Sequence, residues 1–234
     1  MKPSLKNILW SKYSLLGLAI LLFVLSFVFN KLYSIRSSVT REVRLAEKYL
    51  HKRQNDFNHF VKDTGLINRL LANSESTDEF SRFDSKRYSI FLYTVDTFGA
   101  TEMKCWNDQL VTPSPELLMA GDGEYFSRLP NGWYFVIKRT FSTAAIPGKV
   151  TAYALIPVKS EFFIDTDYLP KEFLFSKTAD KSVLMSDKET EFSVRSVSGK
   201  AIFYLDKKAS GAVPHNDMRT ILLRMAAVLL LFLF

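Results

Sequence analysis

Six aromatic residues, Tyr93, Trp106, Trp133, Tyr134, Tyr153 and Tyr168, share one stretch of the sequence with Asp96, Asn107, Lys138 and Arg139. Aromatic walls carrying a few polar groups are the chemistry of a small-ligand pocket, and the same residues also serve to fill a modest core. The ligand-binding candidates drawn from this set are Trp106, Trp133, Tyr134, Lys138 and Tyr153. Alternation along a strand divides them. Trp133, Phe135, Ile137 and Arg139 share one face, and Tyr134, Val136, Lys138 and Thr140 the other. The first face is the more apolar, which makes it the expected core and turns Tyr134 and Lys138 toward ligand or solvent.

Other chemistry finds little support. The sequence holds no G-x-x-x-x-G-K-[ST], no H-E-x-x-H and no G-x-S-x-G, so no catalytic residue and no metal ligand is nominated, and this chain by itself is not expected to be an enzyme or to hold a cofactor. His51 and His59 are eight residues apart, too far for a metal pair on one helical turn, and read as solvated helix residues; His215 stands alone. Asp165 and Asp167 form a D-x-D that could take a hard cation; with no further acid nearby it reads as a loop or helix start. The single cysteine, Cys105, excludes an intramolecular disulfide and a cysteine-cluster zinc site. It is expected to be a small buried hydrophobe.

Charge is unevenly placed along the 234 residues. All 24 acidic residues lie between Glu42 and Asp217. Eight of the 31 basic residues belong to these acid-free ends, leaving 23 against 24 in the interior, so the net +7 arises at the ends. A nearly balanced interior argues against nucleic acid, which needs a concentrated basic surface.

The two ends read as membrane segments. Tyr13 to Asn30 carries no charge over eighteen residues, roughly 27 Å of helix against a ~30 Å hydrocarbon core. It is too long for a signal-peptide core of about 7 to 15 residues and lacks small residues after it, so it is expected to remain as an anchor in contact with membrane lipid. From Met218 to Phe234 a second apolar run follows, expected to be the start of a second transmembrane helix of a longer polypeptide, with Arg224 snorkelling to the headgroups. The organisation expected is a cytoplasmic N-terminus at 1–12, transmembrane helix 1 at 13–30, a long signalling and dimerisation helix at 31–72, an extracytoplasmic domain at 73–217 and transmembrane helix 2 at 218–234.

Between these ends the periodicity changes once. Ile35, Val39, Ala46, Leu50, Phe57, Val61, Ile67 and Leu71 recur at helical spacings, a stripe that either packs on its own domain or pairs with a second copy of the chain. After the polar stretch Asn73 to Glu79 the pattern becomes extended: a hairpin of 89–96 and 101–107, a Pro- and Gly-rich loop at 109–131 with a helical turn at 116–119, strong strands at 132–142 and 150–159 around Pro147-Gly148, and a last pair at 191–197 and 200–206 around Ser198-Gly199. A long helix leading into a mostly antiparallel sheet is an α+β layout.

Several segments carry a family likeness. Y-T-V-D at 93–96 with C-W-N-D at 105–108, N-G-W-Y-F-V-I-K-R at 131–139, Y-A-L-I-P-V-K-S-E-F at 153–162, D-Y-L-P-K-E-F at 167–173 and the strand Gly199 to Leu205 together resemble the extracytoplasmic sensor region of bacterial two-component sensor histidine kinases, often hybrid kinases. The resemblance implies a PAS-like, Cache-type sensor fold between two transmembrane helices in the cytoplasmic (inner) membrane, a homodimer, and a kinase after the second helix. It leaves the stimulus open, a small molecule or a protein. The alternatives are the input domain of a chemoreceptor or cyclic-dinucleotide cyclase, and a bitopic envelope scaffold that binds another protein.

Overall fold

The computed structural model describes residues 5–95, 100–143, 148–164, 166, 168–169, 171–208 and 218–233, with side chains from 13–28 and 39 onward in the first helix and over 221–232 in the last. The described residues fall into two compact units. One comprises the chain up to Arg41 with 181–183 and the segment from Lys207; the other comprises 42–180 and 184–206.

In the first unit, helix α1 (Leu5–Lys62) begins, and helix α6 (Met218–Leu233) belongs wholly to it. Arg224 of α6 donates from Nε to Ser26 Oγ of α1 at 3.0 Å, and its guanidinium lies 5.0 Å from the Phe27 ring centre. The expected snorkelling of Arg224 is thereby replaced by a polar contact between two apolar helices. Among the described residues no helix is long and apolar enough to cross a membrane. The two expected transmembrane helices are therefore unsupported as spans among the described residues.

In the second unit, the remainder of α1 is followed by α2 (Thr64–Leu71) and α3 (Thr77–Asp84). The single helix expected over 31–72 is broken at Asp63, whose carboxylate accepts from Leu66 N at 3.0 Å and caps α2. Helix α3, expected as a polar stretch, starts at a capping box in which the Ser76 and Glu79 side chains and backbone N–H groups bond reciprocally.

A six-stranded antiparallel sheet forms the centre. Its order is β2 (Thr101–Trp106), β1 (Ser89–Val95), β5 (Lys149–Ser160), β4 (Gly132–Ser142), β3 (Gly123–Leu129), with the short β6 (Glu172–Phe173) on β5. A three-stranded sheet in the order β7 (Val183–Ser186), β9 (Ala201–Lys207), β8 (Ser193–Arg195) accompanies it. The α+β class with antiparallel sheets is therefore established. β4 has the bounds its sequence predicts, whereas β3 lies in the segment expected to be loop and β7 was not anticipated. At the β4–β5 turn Gly148 has φ +109°, and a Cβ there would sit 2.4 Å from the Val95 carbonyl oxygen, so the turn requires glycine.

Both faces of the large sheet are covered. Phe135, Ile137, Ile90 and Leu92 are buried on one, the side on which Gln54 of α1 donates to Glu124 Oε1 at 2.7 Å. Ala46, Leu50, Phe57 and Phe60 of α1 are buried with it, so this part of the helical stripe is core of its own domain. On the other face Phe91, Tyr93, Tyr134, Val136, Tyr153 and Leu155 form a cluster closed by Val111 and Leu117 from the segment before β3.

Candidate ligand site

The five nominated residues do not converge. Trp133 lies on the α1 side of the sheet, half-buried, stacked on Phe126 at 5.4 Å with Nε1 donating to Glu161 at 3.1 Å. Trp106, at the end of β2, is 39% exposed. Tyr134, Lys138 and Tyr153 share the opposite face. The expectation that Tyr134 and Lys138 turn toward solvent is corrected: they are 6% and 7% exposed. A strand covered on both faces buries both its alternating sets, so the apolar content of one set does not mark the other as open. Tyr168, the remaining aromatic of the group, is 93% exposed, and Asp96, Asp165, Asp167 and His215 lie outside the described residues.

Lys138 is a structural cation. Its Nζ donates to the carbonyl oxygens of Leu118 at 2.7 Å and Ala120 at 2.6 Å and lies 5.2 Å from the Tyr153 ring centre. These carbonyls end the short helix α4 (Pro115–Met119), where acceptors have no intrahelical partner. Burial lowers the Lys138 pKa from its ordinary value, and burial, then Tyr93, raises that of the Tyr153 hydroxyl. The Tyr153 ring meets Tyr93 edge-on at 5.4 Å.

Of the nominated five, Tyr134 lines a cavity. It is a pocket of about 280 Å³ at the sheet end, where β1 and β4 begin and β5 finishes, bounded among others by Tyr88, Ser89, Asn107, Asp108, Tyr134 and Lys159. The polar residues of C-W-N-D build its floor. Asn107 Oδ1 accepts from Ile90 N at 2.6 Å while Nδ2 donates to the Phe83 and Tyr88 carbonyls; Asp108 accepts from Ser89 Oγ at 2.6 Å and from Leu110 N at 3.0 Å. The Tyr134 hydroxyl, its pKa raised by burial, donates to Asn131 Oδ1 at 2.9 Å. The pocket offers oriented hydrogen-bonding groups with Lys159 and Arg87 at its margin, an arrangement suited to holding a small polar molecule.

Residues 86–88, absent from the sequence candidates, are the wall of this pocket. Tyr88 donates to Asp56 Oδ2 at 2.7 Å, and Lys86 Nζ donates to the same oxygen at 2.6 Å. Burial works against ionised Asp56, and these two hydrogen bonds outweigh it, holding the carboxyl below its ordinary pKa. For Tyr88, burial and then the Asp56 carboxylate raise the hydroxyl pKa. A K-R pair before a strand was the available signal, but its partner Asp56 is about thirty residues upstream. Cys105 is half-buried, its thiol pushed up to about 11 by burial and then by Glu75. His51 Nε2 lies 2.8 Å from the Arg195 carbonyl oxygen. Among the described residues no three His, Cys, Asp or Glu side chains gather to hold a metal ion. Comparison with known proteins finds no matching family model, curated protein or solved structure.

Proposed function

We propose that the chain is the extracytoplasmic sensing and transmembrane signalling module of a membrane-bound two-component sensor histidine kinase, acting as a homodimer in the cytoplasmic membrane, with its PAS-like domain outside and the catalytic part absent from this chain. The observation that carries this reading is the course of α1. One unbroken helix, Leu5–Lys62, holds the uncharged run Tyr13 to Asn30 and also contributes Leu50, Phe57 and Phe60 to the core of an antiparallel-sheet domain. A helix with an apolar half and a domain-embedded half is the element a signal crossing a bilayer would use.

Two further features support it. Leu18, Ile20, Leu21, Phe23, Val24 and Phe27 of α1 are exposed, as are Leu222, Met225, Leu229 and Phe232 of α6; large exposed apolar areas mark interaction surfaces, and here lipid is the proposed partner. The Arg224–Ser26 bond then joins two membrane helices, where an ionisable residue is expected to turn toward a polar neighbour rather than lipid. The domain itself combines a preceding long helix with a sheet in the order β2-β1-β5-β4-β3, consistent with a PAS-like module. A stimulus would act by binding two packings of the sensor with different affinity, which is the requirement for any coupling between sites.

Reporter fusions test the reading. Alkaline phosphatase joined after Ser74 and after Lys207 should be active at both positions, and membranes carrying the full gene product should incorporate acid-labile phosphate from ATP. Two inactive fusions would remove the topology, and absent phosphate incorporation would remove the kinase.

A further inference from the structure

A second cavity, of about 640 Å³, opens on the other side of residues 86–88, lined by Lys52, Arg53 and Asp56 of α1, by Arg82 and Ser85 at the end of α3, and by Lys86, Arg87 and Tyr88. We infer that this cleft is a binding site for a phosphate-bearing anion. The inference stands apart from the membrane and kinase reading, because it concerns one compact unit of the chain and uses none of its apolar segments.

The charge balance is the first argument. Five cationic side chains face one carboxylate, an excess of four, in a chain whose whole net charge is +7. That carboxylate, Asp56, already accepts from Lys86 and Tyr88. Lys52, Arg82 and Arg87 have no carboxylate partner among the described residues. Cations gathered this way repel one another and cost stability unless something neutralises them.

Pre-ordering is the second. The Arg53 guanidinium lies 3.5 Å from the Tyr49 ring centre and donates to the Tyr49 and Arg87 carbonyls at 3.1 and 3.4 Å. Lys86 is held by its 2.6 Å bond to Asp56. Two of the five cations are thus fixed from inside the protein, and the other three are left to reach a guest. The two free arginines, Arg82 and Arg87, favour a multidentate oxyanion, since the planar guanidinium fork matches phosphate oxygens in pairs. The volume exceeds what a single inorganic ion fills and falls in the range of pockets for small molecules, about 300 to 1,000 Å³. Interior charge counted along the sequence hides the site, because Lys52 and Arg53 are separated from Arg82, Lys86 and Arg87 by a run that includes acids.

The test uses the full 234-residue chain in detergent micelles at neutral pH and fixed ionic strength, with inorganic pyrophosphate as probe, read by calorimetry and by Tm. The wild type should bind saturably and gain Tm with pyrophosphate, as any ligand of the native state requires. Arg82→Gln with Arg87→Gln should weaken binding by about tenfold or more while leaving the ligand-free Tm unchanged or higher. Lys177→Gln with Lys188→Gln, equal in charge and exposed elsewhere, should bind as the wild type does. If the arginine pair proves unable to fold, Lys52→Gln carries the same comparison. No saturable binding, or equal loss in the two charge-matched variants, overturns the inference. Glycerol 3-phosphate against dihexanoyl phosphatidic acid then separates sources: equal affinity marks a soluble phosphate ester, and tighter binding with acyl chains marks a lipid headgroup.

Discussion

Lys138 looks like a ligand-binding cation in the sequence and acts as a helix cap in the fold. Replacing it with Ala should leave the Leu118 and Ala120 carbonyls without their donor and cost about 1 to 3 kcal/mol, measured by urea denaturation of the full chain in detergent; an unchanged midpoint would show that the carbonyls are solvated instead. Tyr153→Ala and Tyr134→Ala each open the cluster they share with Leu155 and Val136, and each should cost about 3 to 5 kcal/mol. Tyr153→Phe should cost well under 1 kcal/mol, because the hydroxyl makes only 3.5 Å contacts. The Asp56 carboxyl has its pKa lowered in the folded state, so its contribution is present above the unfolded value near 4 and is lost as pH falls through the lower folded value. Stability of Asp56→Asn should accordingly fall less steeply than wild type on acidification below about pH 4. The Cys105 thiol, at about 11, should react with iodoacetamide far more slowly at pH 8 than a free thiol of pKa about 8.5; a rate equal to that of a free thiol would mean it is open to water.

Elements carrying their own strong local signal were legible in the sequence. β4 has the predicted bounds because W-Y-F-V-I is aromatic and β-branched and starts at a glycine, and β1, β2 and β5 differ from expectation by one residue at their ends. β3 was missed because Gly121, Gly123 and Pro130 frame it and its faces mix charge and ring: Glu124, Phe126 and Arg128 on one, Tyr125, Ser127 and Leu129 on the other. Only pairing with β4 decides it. α3 was missed because T-D-E at its start is polar, although S-x-x-E is itself a helix signal; Ser76→Ala should cost about 1 kcal/mol by removing that cap. The candidate site was legible at Tyr134 and Asn107, whereas Lys86, Arg87 and Tyr88 join it through long-range contacts that no local pattern encodes. The α1 stripe bears on the proposed dimer. Its members Leu50 and Phe57 are buried in their own domain, so with Cys105 replaced by Ser, cysteines at 50 and 57 should not cross-link between copies, and any parallel seam should involve exposed positions such as Leu45.

At the scale of the whole molecule, the proposed function requires the second unit to lie outside the cell membrane and the apolar helices α1 and α6 to lie in it. Lipid contact would explain why α1 and α6 expose large apolar side chains while the second unit keeps both faces of its sheet covered. The most direct measurement is labelling of single cysteines, Ser74→Cys and Lys188→Cys in a Cys105→Ser background, by a membrane-impermeant maleimide on intact spheroplasts. Both positions are exposed in the second unit. The account predicts that both label fully without permeabilisation, and labelling of both only after the membrane is opened would contradict it.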